Sequence, residues 1–211
     1  SVFFFTIFCF SISAFSQLLK PDWENVSVLE SNREPARADF IPFATLDQAL
    51  RGVRKDSPWY MLLNGQWKFN WVAKPEDRPV DFYKTDYNDL SWKQISVPSN
   101  WEMQGYGTPI YVSAGYPFAI DLPKVTSIPK ESYTSFNDRN PVGSYRQTFT
   151  LPADWADRRT YIRFEGVQSA FYLWVNGKRV GYSQGSMSPS EFDITDYVKA
   201  GENLLAVEVY R

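Results

Sequence analysis

Hydrophobic and polar positions alternate most regularly between residues 161 and 182. Phe171, Leu173 and Val175 alternate with Tyr172, Trp174 and Asn176. A period of two predicts a strand with one face buried and the other not. Asn176-Gly177 follows, and this pair tolerates the positive φ angles of a tight hairpin turn. Lys178 to Tyr182 then reads as the returning strand, and Tyr161 to Glu165 as a further strand just before the pair. The run Gln184-Gly185-Ser186-Met187-Ser188-Pro189 breaks the alternation and predicts a loop leaving a rigid sheet.

The same pattern recurs elsewhere. Trp67, Phe69 and Trp71 alternate with Lys68 and Asn70, and Asn64-Gly65 before them predicts a second hairpin. Trp92 to Val97 reads as a strand stopped by Pro98, and Gly143 to Leu151 as another, with Tyr145 and Phe149 opposing Arg146, Thr148 and Thr150. In the last strand, Asn203 to Arg211, Leu205, Val207 and Val209 are expected inward and Glu208 outward. One short helix is expected over Thr45 to Gly52, capped by Thr45 and ended by Gly52. Lys20 to Ile41 reads as an extended arm lying over a domain and not an element of its own sheet, and Phe82 to Leu90 as a polar connection. Residues 98–140 are irregular and rich in Gly, Pro and aromatics, as long functional or compactly packed loops are. Many short strands without a long helix predict an all-β sandwich.

Composition narrows the function classes. A net charge of −2 and no polybasic run argue against nucleic acid as partner. Histidine is absent, which removes Ser-His-Asp and Cys-His catalysis and His-based metal sites. Aromatics reach 18%, enough for packing and for stacking on a flat ligand. Trp67, Trp71 and Trp174 are expected in the core before any sugar platform, because alternating strand Trp residues are mostly buried. Asn100-Trp101-Glu102, Glu191 and Asp193 are read as loop-fixing groups, since general-acid chemistry needs a second carboxylate across the sugar.

The N-terminal apolar run, Val2 to Phe15, resembles the core of a secretory signal peptide, and residues 1–17 are expected to be removed. The start lacks Met and a basic region, so the signal is expected to be clipped. The single Cys9 lies within it, leaving a mature chain without disulfides, exported to the periplasm or secreted, and free of the membrane. Residues 18–60 are expected to form the arm and helix, and 61–211 the sandwich. The chain stops at Arg211 directly after a strand pattern, and further domains are expected beyond it.

An ordered set of motifs carries a family resemblance. It includes Asp22-Trp23-Glu24-Asn25, Leu63-Asn64-Gly65-Gln66-Trp67, Val97-Pro98-Ser99-Asn100-Trp101 and Pro109-Ile110-Tyr111. Phe164-Glu165-Gly166-Val167, Trp174-Val175-Asn176-Gly177, Val180-Gly181-Tyr182-Ser183 and Pro189-Ser190-Glu191-Phe192-Asp193 continue it. The set resembles the N-terminal sugar-binding domain of family 2 glycoside hydrolases, and among them the large β-galactosidases. The resemblance implies a jelly-roll β-sandwich of the galactose-binding kind, followed in a longer protein by an immunoglobulin-like domain and a (β/α)8 barrel. It puts the two catalytic glutamates and the magnesium ligands in that barrel, so no catalytic residue, metal ligand or cofactor is expected in this chain.

In such enzymes two loops of the front domain reach the barrel's mouth. The resemblance therefore implies substrate-lining positions at Ser113, Ala114 and Gly185. Where the family commonly has a substrate-contacting Asn, this chain has Ser113. Where it has an Asp touching sugar hydroxyls and sodium, this chain has Gly185, which carries no carboxylate. Expected partners are a β-galactoside or other glycan, the remaining domains of the same chain and a second copy of it. A stand-alone carbohydrate-binding module, or the same architecture in a β-glucuronidase or β-mannosidase, remains the alternative.

Overall fold

The computed structural model describes residues 21–109, 140–155 and 157–211. The expected signal segment, Ser113 and Ala114 lie outside the described residues. Within them the chain forms β1 (Glu30–Ser31), α1 (Leu46–Arg51), β2 (Gly65–Val72), β3 (Lys93–Val97), β4 (Val142–Leu151) and β5 (Tyr161–Phe164). It continues through β6 (Ala170–Val175), β7 (Lys178–Gln184), β8 (Ser190–Asp193) and β9 (Gly201–Tyr210). Thr45 caps α1 by accepting the Gln48 N–H on its hydroxyl at 3.2 Å, and Gly52 ends it at φ 65°, as expected.

The pairing is nested and antiparallel throughout: β4 with β9, β5 with β8, and β6 with β7. Antiparallel pairs nested in this way and rolled into two layers make a jelly roll. The larger sheet runs β1-β7-β6-β9-β4-β2-β3, and β5-β8 forms the second layer. Phe171, Leu173, Val175, Leu205 and Val207 of the first layer meet Ile162 and Phe192 of the second in the main core. Fully burying such a side chain contributes about 1.5–3 kcal/mol, so this interface dominates the stability of the domain.

The β6–β7 hairpin turns on Asn176 at φ 51° and Gly177 at φ 79°, the positive pair that its sequence predicted. The register shifts between Leu173 and Trp174, which leaves Val180 as the extra residue of a bulge, buried in the main core.

Five expectations are corrected. Asn64-Gly65 makes no hairpin, because both edges of β2 are already taken by β3 and β4. The arm lies over the domain but also joins the sheet: Glu30 and Ser31 pair with Ser183 and Tyr182 at its edge. The outer face of the large sheet is not open to water. Ala170, Tyr172, Tyr182 and Tyr210 are buried there, with Trp23 and Val28 of the arm packed over them. Phe82, in the connection read as polar, is 1% exposed, and Glu208, read as outward, is on the outer face but only 4% exposed. The sheet therefore has two covered faces, which explains why β6 is apolar or aromatic at nearly every position.

Candidate functional site

Strand register gathers several loops at one end of the sandwich. Val72 lies opposite Val142, Val142 opposite Tyr210, Tyr210 opposite Ala170, and Ala170 opposite Gln184. The β7–β8 loop leaves from here, and so does the β5–β6 loop. The two loops are joined, because the Gly185 N–H donates to the Ser169 carbonyl at 3.2 Å and the Ser169 N–H to the Tyr210 carbonyl at 2.8 Å.

Both flanks of segment 110–139 are held at the same end. The Arg211 guanidinium donates to the Thr108 carbonyl and pairs with Glu102, each at 2.9 Å, and the Arg211 N–H donates to Pro141 at 3.3 Å. Gly185 itself is exposed, with φ 109° and nothing within 4 Å of the place a Cβ would take. A side chain there would meet open space but a backbone conformation that favours glycine, at a cost of about 1–3 kcal/mol.

The carboxylates weighed in the sequence are tied to structural partners. Glu102 pairs with Arg211, and Trp101 beside it is 6% exposed. Glu191 accepts from Arg37 Nε at 2.9 Å. Asp193 accepts the Thr195 N–H at 3.0 Å and Arg159 at 2.7 Å. Desolvation pushes the Asp193 carboxyl up, but the bonds from Thr195 and Arg159 outweigh it and hold it below the usual value. Among the described residues, no three acidic or Cys side chains converge to hold a metal ion.

The three tryptophans form no common platform. Trp67 is 5% exposed and Trp71 packs against the same inner core, whereas Trp174 packs with the outer-face cluster and stacks on Tyr83 at 5.1 Å.

A cavity of about 190 Å³ opens on that outer face. Trp23 of the arm and Arg78 of the β2–β3 connection line it together with Tyr172, Glu208 and Tyr210. Glu208 accepts from the Tyr210 hydroxyl at 2.7 Å and faces Arg78 Nε at 3.5 Å. Burial pushes the Glu208 carboxyl above the usual range, and burial with the neighbouring Glu208 charge raises Tyr210 as well. Trp23 stacks on Tyr210 at 5.0 Å, and its buried indole N–H has no hydrogen-bond partner among the described residues. Sequence reasoning missed this group of residues. Its signal was that the outward positions of β6 are Tyr172 and Trp174, aromatic where a wet face would be polar.

Residues 60–211 match the family model for the sugar-binding domain of family 2 glycosyl hydrolases. A β-galactosidase of Priestia megaterium is 42% identical over 192 residues, which is 90% of this chain and 18% of that protein. One from Psychromonas ingrahamii is 43% identical over 198 residues, 93% of this chain and again 18% of the relative. Among solved structures, an uncultured Clostridium sp. β-glucuronidase aligns with a TM-score of 0.47 at 23% identity, covering 70% of this chain and 21% of that one. The chain spans under a fifth of the length of these curated relatives. With most of its length matched in order, the chain belongs to the family of sugar-binding domains of family 2 glycosyl hydrolases.

Proposed function

We propose that this chain is the N-terminal, non-catalytic domain of an exported β-galactosidase, and that its gathered loops complete the mouth of a barrel active site supplied by the rest of the protein. The observation that carries this reading is the convergence at one end. The β7–β8 loop bearing Gly185 and both flanks of segment 110–139, which contains Ser113 and Ala114, are anchored there by backbone bonds and by Arg211. Relatives named β-galactosidase at 42–43% identity support the choice of sugar.

In this reading the hydrolysis of terminal β-galactosides with retention is performed by two glutamates of the barrel. This domain positions and encloses the sugar. Ser113 offers a hydroxyl, and the 185 loop offers backbone groups in place of a carboxylate, so it does not hold sodium through a side chain. Magnesium, held by barrel residues, would supply charge stabilisation at the reacting sugar. The test is to assay the full-length protein on aryl β-galactoside, β-glucuronide and β-mannoside. The galactoside should be the preferred substrate by kcat/KM, and residues 18–211 alone should cleave none. Preference for another sugar, or hydrolysis by the isolated piece, would overturn the proposal.

A further inference from the structure

Resting on the reading that this chain opens a longer enzyme, we propose that the exposed apolar face of α1 is a docking surface whose occupant is a later domain of the same protein. Leu46 and Leu50 are 75% and 79% exposed. Four residues apart on a helix, they stand one above the other on one face. Among the described residues, neither hydrophobic cluster takes in a residue of α1, and none of its side chains is buried.

A helix this short does not stand by itself. Isolated helices under about 12–15 residues are marginal in water, and packing of an apolar face supplies most helical stability. α1 runs only from Leu46 to Arg51. What holds it within the chain is polar. Thr45 caps it, Arg51 faces Asp47 at 3.5 Å and Asp56 at 3.6 Å, and Arg54 pairs with Asp39. The Ser57 hydroxyl donates to the Pro42 carbonyl at 2.7 Å and draws the two ends of the segment together. Exposed ion pairs contribute little, and the two leucines stabilise the helix only once a surface removes them from water.

Place and size choose the occupant. Arg54 Nη1 faces Glu165 at 3.7 Å, and Glu165 follows β5 into the β5–β6 loop at the gathered end. The segment carrying α1 therefore borders the end that the proposed function turns towards the rest of the protein. The curated relatives extend well beyond this domain, which spans 18% of each. Stable pairing of separate molecules buries roughly 800 Å² on each partner, more than a few side chains offer. A domain joined by the chain needs less, because the tether holds it at high effective concentration. The rim charges Asp47, Arg51 and Asp56 already pair with one another, so the matching surface is apolar and supplies no charge of its own.

Two measurements on the full-length protein test this without reference to hydrolysis. Leu46→Lys combined with Leu50→Lys preserves helix propensity, in which the two residue types are close. The Ala49 and Gly52 amides bond the Thr45 and Gln48 carbonyls within α1. They should exchange at least about a hundredfold faster in the double variant, because the face that packing protected is then charged. Separately, p-benzoylphenylalanine in place of Asp47, on the rim, should cross-link on irradiation to a peptide beyond residue 211, and the product should keep the mass of one chain on a denaturing gel. Exchange within about threefold of wild type would overturn the proposal. So would the absence of a cross-link beyond residue 211, or a product with the mass of two chains, which would make the occupant a second copy. Neither readout depends on which sugar is cleaved, so this result and the aryl-glycoside result can fail separately.

Discussion

Arg146 fastens the β2–β3 connection to the sheet, and replacing it measures how much that fastening is worth. Its side chain is 6% exposed. One guanidinium nitrogen donates to the Phe82 carbonyl and, at 3.0 Å, to the Lys84 carbonyl. Nε donates to Asp89 at 2.7 Å. Arg146→Met keeps much of the apolar stem but leaves two carbonyls and a carboxylate without these donors. Breaking a buried ion pair costs about 3–5 kcal/mol, and each buried carbonyl left unpaired about 1–3. The Asp89 side chain is 24% exposed, so water recovers part of its loss. The expected net cost is at the low end, about 3–4 kcal/mol. That is a large share of a typical 5–15 kcal/mol domain stability. Hydrogen exchange in the full-length protein reads it locally. The amides of Lys84, Tyr87 and Trp92 bond within the connection, to Asp81, Lys84 and Asp89. They should exchange roughly a hundred- to a thousandfold faster in Arg146→Met, with Arg146→Lys in between. Exchange within about threefold of wild type would refute the reasoning, because the connection would then be held by Phe82 and its aromatic neighbours alone.

Three further outcomes are expected. Gly181→Ala puts a Cβ against the Ser31 carbonyl and 2.6 Å from the Phe192 ring. It should cost about 1–3 kcal/mol and release β1, read as faster exchange of the Gln184 amide that bonds Leu29; unchanged protection there would count against it. Asn203 is 1% exposed and has both amide donors and its oxygen satisfied by Lys199, Gly201 and Asn176. Asn203→Asp turns its two donations into repulsions and should lower stability by about 3 kcal/mol at neutral pH, measured as a loss of amide protection along β9. Burial holds Glu208 above the usual carboxyl range, so its contribution is full below the ordinary glutamate pKa and is lost as pH rises through its folded value. Glu208→Gln should therefore protect β9 amides better than wild type at neutral pH, with the gap closing below about pH 4; a gap that widens on acidification would contradict the sign.

The sequence made legible whatever depends on near neighbours. The Asn176-Gly177 turn, the Thr45-capped helix and the alternation along β9 are each decided within a few residues, so local chemistry predicts them. Asn64-Gly65 carries the same local chemistry as the true hairpin. It fails because β3 and β4, remote in the chain, occupy both edges of β2. The covered outer face was illegible for a related reason. Its cover comes from Trp23, Phe82 and Tyr83, single aromatics in polar stretches without periodicity. Arg146 and Glu208 sit at positions where a polar residue reads as solvated, and only that distant cover buries them. Of the candidate site, Gly185 was named from the family resemblance, and the structure places it on an exposed loop at the gathered end. Ser113 and Ala114 lie outside the described residues, and only the flanks of their segment bear on them.

The central claim is that the gathered loops of this domain face a pocket formed by the rest of the protein. Ser186→Trp and Met187→Trp in the full-length enzyme test it most directly. Met187 is 90% exposed, so a bulky ring there disturbs nothing within the domain. If the loop borders the pocket, kcat/KM for an aryl β-galactoside should fall at least about tenfold, mainly through KM, while exchange protection of β6, β7 and β9 stays at wild-type values. Wild-type kinetics in both variants would contradict the account.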